Sequence, residues 1–233
     1  MRPGYDESPI NALPPVVWAV ALPMIAAEIV FGLGRIGMIG GAEGLGLRQN
    51  AVGMMAYFPQ ILSQIWQLGT FDLCQTVRVL TYPFIHWSFT HALFVIVFTL
   101  ALGKMVAEQF RPWAFIALFF GAAVGGAAIY TVFGLLAGIN LVPLVGGYPA
   151  VYGLVGAFTF LLWMRLGMVH ANRMRAFSLI GMLLLFQLIF GLLFGNAGYA
   201  WIAEVGGFAA GFMLSFLLVP GGWAHAMAAI RRR

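Results

Sequence analysis

Four side chains combine reactive types with positions inside apolar runs: His86, His91, Tyr148 and Glu204. An imidazole or a carboxylate can act as a general base, and an activated hydroxyl can attack a carbonyl. Hydrolysis by this route needs nucleophile and base within hydrogen-bond reach, plus donors for the oxyanion. Tyr148 follows Gly146-Gly147 and precedes Pro149, which suits the first position of a helix because its missing N–H costs nothing there. Tyr148 is therefore expected near a helix N-terminus, where unpaired N–H groups point outward. Against catalysis stand the tyrosine pKa near ~10 and the bulk of the ring. Two histidines and a carboxylate also supply the types of a two-His-one-carboxylate metal site. On a regular helix, however, the spacing of five turns His86 and His91 about 140° apart, at ~100° per residue. They share a site only if His86 precedes the helix. No further carboxylate is at hand to support such ligands, so the reading assigns no metal and no cofactor.

The elements that must hold these residues are membrane helices. The 233 residues are 62% hydrophobic and only 8% charged, which excludes a soluble globule. A lone cysteine, Cys74, excludes an internal disulfide or a cysteine-based metal cluster. Apolar runs predict six spans: about Val16–Gly34, Tyr82–Val106, Pro112–Ala137, Pro149–Met164, Ala176–Gly195 and Ala200–Val219. Residues 1–13 form a polar N-terminal segment, 14–219 the membrane domain, and 220–233 a basic tail. Between spans one and two, residues 35–80 form a long connection whose stretch Met54–Leu68 suits the membrane interface. Glu28 lies inside span one.

Six spans place both termini on one side. Nine of the 12 Lys and Arg fall on that side and three, Arg35, Arg48 and Arg78, on the other. That asymmetry predicts N-in, C-in, and it accounts for the net charge of +5 without any nucleic acid. Small residues recur along the spans, including Gly121, Gly125, Gly153, Gly156, Gly206, Gly207 and Gly211, and are expected to let helices pack closely.

Three separated motifs carry a family resemblance. Gly146 to Gly156 resembles the serine motif of the rhomboid intramembrane proteases, Gly-x-Ser-Gly followed by small residues, an aromatic and a glycine. His86 and His91 resemble that family's second span, His-x4-His-x3-Asn. Ala203-Glu204-Val205-Gly206-Gly207-Phe208-Ala209-Ala210-Gly211 resembles its sixth, Ala-His-x-Gly-Gly-x3-Gly. The departures fall on the reacting positions. Tyr148 stands where the family has its serine, Pro149 at the next glycine, Glu204 at the base histidine and Val95 at the oxyanion asparagine. Residues 141–160 contain no serine or cysteine.

The resemblance implies an all-α, six-span rhomboid-like bundle with a short fourth helix ringed by the others. It implies a polar cavity where His86, His91, Tyr148 and Glu204 meet. It further implies a pseudoprotease of a bacterial-type cytoplasmic membrane that binds a transmembrane or membrane-associated client, or joins a larger membrane complex. The groove for such a helix would lie at spans two and five, where Phe186, Phe190 and Phe194 form one face. The alternatives are an active intramembrane endopeptidase with an atypical site, or a small transporter or metal-binding membrane protein, for which intramembrane Glu28 and Glu204 are the motive.

Overall fold

The computed structural model describes residues 13–60, 69, 73–184 and 198–220. Regular structure among them is helical: α1 (Pro15–Arg35), α2 (Leu47–Met55), α3 (Leu73–Thr81), α4 (Phe89–Ala107), α5 (Pro112–Ala137), α6 (Tyr148–Met168) and α7 (Ala200–Leu218). Among the described residues there is no strand, only an isolated antiparallel bridge between Tyr57 and Leu144. α1, α4, α5, α6 and α7 are 19–26 residues long and apolar enough to cross a membrane. At about 1.5 Å per residue they reach roughly 28–39 Å, enough for a hydrocarbon core. The protein is thus a polytopic α-helical membrane protein. Residues 178–184 are also helical. The rest of the expected fifth span, with Phe186, Phe190 and Phe194, lies outside the described residues, as do most of the N-terminal segment, residues 61–68 and nearly all of the tail.

Two span boundaries differ from the sequence expectation. α4 starts at Phe89, not Tyr82. Pro83 sits in a short 3-10 turn, Tyr82–Phe84, and Ile85 is extended. Ser88 then caps α4, its hydroxyl accepting from the His91 N–H at 3.2 Å. α6 begins at Tyr148, with Pro149 as its second residue, and runs past Met164 to Met168. At 21 residues it is no shorter than α4 or α7, so the implied short fourth helix is not what forms.

The middle of the bundle is the first half of α6. Pro149 to Ala157, Thr159 and Phe160 are all buried there. α5 and α7 pack on it, and α4 covers another side. Glycine makes the close contacts. A Cβ at Gly207 would overlap the Pro149 carbonyl, one at Gly211 the Gly153 carbonyl, and one at Gly156 the Phe208 carbonyl. A Cβ at Gly153 would strike Ala122, at Gly125 Ala210, and at Gly206 Ile129. Gly121 differs, because its nearest neighbour is the tip of the Leu214 side chain. Backbone cannot step aside as a leucine tip can. Gly207→Ala and Gly211→Ala should therefore each cost about 3 kcal/mol, at the upper end of overpacking, and Gly121→Ala under about 1 kcal/mol. Thermal unfolding in detergent checks the order; equal losses at Gly121 and Gly207 would refute it.

Candidate functional site

The reactive side chains are held by the turn before α4, the first turns of α4 and α6, and the second turn of α7. The loop entering α6 is fixed from below by tyrosines. Tyr57 exchanges both backbone hydrogen bonds with Leu144, at 3.0 and 2.8 Å, and the Gly146 N–H donates to the Tyr82 carbonyl at 3.0 Å. The fully buried Tyr82 hydroxyl donates to the Ala123 carbonyl at 2.8 Å. The Tyr57 hydroxyl pairs with Thr131 at 2.8 Å. Burial raises the Tyr57 pKa, and the Thr131 bond offsets part of that rise.

Gly146 has φ 103°, a conformation that favours glycine, and a Cβ there would also strike the His91 ring. A Cβ on Gly147 would press on Val95 and the Pro83 carbonyl. Two successive glycines are thus what let α4 side chains lie against this turn. The His91 ring stacks on the Tyr148 ring, with centroids 4.9 Å apart and an interplanar angle of 16°. His86 meets His91 edge-on at 5.2 Å. Because His86 precedes α4, the 140° separation of a continuous helix does not arise, and the two imidazoles come together. Val95, fully buried, lies one turn further along α4.

His86 is fully buried. Burial first, then its neighbours His91 and Arg48, push its imidazole down to about 3. The Gly147 N–H approaches Nε2 of His86 at 3.5 Å, a long contact. Nδ1 of His86 and Nε2 of His91 are buried and have no hydrogen-bond partner among the described residues. Glu204 is buried on α7, the helix that packs along α6. His86, His91 and Tyr148 are therefore brought together ring against ring. Among the described residues no group of three or more His, Cys, Asp and Glu side chains gathers as a metal site would require.

A second polar assembly supports the first. Arg48 from α2 grips Glu28 of α1 with both ends of its guanidinium, at 2.8 and 2.7 Å. The same Arg48 Nη1 donates to the His86 carbonyl at 2.8 Å, and the guanidinium lies 4.7 Å over the Phe31 ring. The signal for this clamp was present: an intramembrane acid needs a partner, and Arg48 lies in the loop on the side where span one ends. It ties the first loop and α1 to the backbone of His86.

A family model described as Rhomboid domain matches residues 73–221. No curated protein matches the sequence.

Proposed function

Because the chain belongs to the rhomboid family, we propose that it is a member without peptidase activity, which holds a membrane helix of another protein. One observation carries the reading. The Tyr148 ring, at the position that the motif register aligns with the family's serine, stacks on His91. A phenol is a poor nucleophile without an activating base bonded to it, and here its ring lies face-on to the nearest imidazole. By the same register Glu204 stands at the base position and Val95 at the oxyanion position, and the valine side chain has no N–H or O–H to donate. The cluster then joins α4, α6 and α7 rather than reacting.

The client would pack against the outer side of α4, where Leu93, Phe94 and Val97 are exposed, together with the fifth span. Membrane helices associate through packing and hydrogen bonds, not through hydrophobic exclusion. The loop charges favour an orientation with both termini inside, and the membrane we propose is a bacterial-type cytoplasmic one. Fluorophosphonate probes, which react with activated serines, should leave the purified protein unlabelled; a labelled peptide mapped to this chain would overturn the inactive reading. Photo-crosslinkers at Phe94 in native membranes should give discrete protein adducts that the same group at Ile29 of α1 does not. Identical patterns at both positions would overturn the client reading.

A further inference from the structure

We propose that the turn following α6 is a binding site for the headgroup of an anionic phospholipid. This inference is independent of the client reading above. Between Glu108 and Glu204 the sequence contains no acidic residue, yet Arg165, Arg173 and Arg175 all lie there, within eleven positions. All three are exposed. The Glu28–Arg48 pair is the ion pair found among the described residues, and it lies elsewhere in the bundle. Arg165 and Arg175 make no side-chain hydrogen bond or ion pair among the described residues. Two guanidinium forks are thus presented without an anion among the described residues to satisfy them, and guanidinium matches phosphate with paired N–H donors.

The third arginine is built into the turn. The Arg173 guanidinium lies 4.7 Å over the Trp163 ring. It also lies flat against Gly167, where any Cβ would collide with it. The backbone of the turn is closed by its own hydrogen bonds: Ala171 N–H to the Leu166 carbonyl at 2.9 Å, and Met174 N–H to the Asn172 side chain at 2.9 Å. His170 takes the left-handed conformation, φ 53°, that such a closure needs. The site is therefore preorganised and not a floppy charged loop.

Its depth fits a lipid and not a soluble anion. Between and beside the arginines, Met168, Val169 and Met174 are 72%, 66% and 69% exposed. Those side chains belong among acyl chains, while the arginine heads reach the phosphate level. Trp163 marks the same interface. An acidic protein segment would not explain apolar side chains alternating with the charges; a phospholipid, with its phosphate above its tails, does.

The test is native mass spectrometry of the full chain in micelles containing equal amounts of phosphatidylglycerol and phosphatidylcholine. The unaltered protein should retain phosphatidylglycerol preferentially, and raising the salt concentration before analysis should weaken that preference, as screening requires. Arg165→Gln with Arg175→Gln should lower phosphatidylglycerol retention roughly fivefold for each arginine removed. Arg165→Lys with Arg175→Lys keeps the charge but loses the paired donors, so its retention should fall between the unaltered protein and the glutamine variant; if the glutamine variant does not fold, retention by the lysine variant equal to that of the unaltered protein would overturn the proposal. Adding inorganic phosphate at millimolar concentration should not displace the lipid. Equal retention of the two lipids by the unaltered protein would overturn the proposal. So would displacement by inorganic phosphate, or an unchanged preference in the glutamine variant.

Discussion

Arg48→Met is expected to destabilise the protein by about 3–5 kcal/mol, the cost of leaving one partner of a buried ion pair alone. Glu28 is 6% exposed at its side chain and Arg48 20%, so little water can take over the lost contacts. The loss spreads beyond the pair, because the same guanidinium holds the His86 carbonyl. Arg48→Lys should recover only part of it, since an ammonium cannot span both carboxylate oxygens and the carbonyl in one plane. Replacing both partners, Arg48→Met with Glu28→Leu, should be much milder than Arg48→Met alone, because no orphan charge remains. Unfolding in detergent by heat or denaturant reads all four proteins. If Arg48→Met stays within about 0.5 kcal/mol of the unaltered protein, the range of an ordinary surface change, the clamp is not structural.

The second large effect concerns restoring chemistry. Tyr148→Ser with Glu204→His replaces the nucleophile and base positions but leaves the oxyanion side unrepaired. Pro149 has no backbone N–H, and the Val95 side chain has no donor. Losing one oxyanion donor costs roughly 10²–10³ in kcat, so two should leave the double variant about 10⁴-fold or more below a competent enzyme. Adding Val95→Asn should raise turnover by roughly one such factor. Pro149→Gly is the harder repair, because Pro149 packs against Gly126 and Gly207. Cleavage of a transmembrane substrate in liposomes measures each step. Robust turnover by the double variant alone would show that these two positions do not limit the chemistry.

The spans were legible because lipid imposes one demand, an apolar run long enough to cross with its backbone bonded to itself. α1, α5 and α7 start and end within a residue or two of where apolarity begins and ends. Tyr82 to Trp87 is nearly as apolar as the helix, so apolarity alone starts span two too early. The correct signals were local: Pro83 in a 3-10 turn, and Ser88 as a side-chain cap three residues before His91. α6 starts one residue before the expected Pro149, since proline is tolerated throughout the first turn of a helix. Of the candidate site, the registers of His91, Tyr148 and Glu204 were visible in the motifs. The stack of His91 on Tyr148 was not, because it depends on how closely α4 approaches Gly146 and Gly147. The Arg48 clamp joins residues 20 and 38 positions apart. No periodicity encodes such a pairing; only the cost of an unpaired carboxylate hinted at it. The roles of Tyr57 and Tyr82 beneath the loop were invisible for the same reason.

The measurement that bears most directly on the central claim is peptide-bond cleavage of a transmembrane substrate by the purified protein in liposomes, run beside Tyr148→Phe. The phenylalanine keeps the ring that stacks on His91 and removes only the hydroxyl. The account predicts background cleavage from both proteins and unaltered stability of the bundle to within about 1 kcal/mol, the net worth of one hydrogen bond. Cleavage by the unaltered protein that disappears in Tyr148→Phe would contradict it, and would make Tyr148 the nucleophile of a working peptidase.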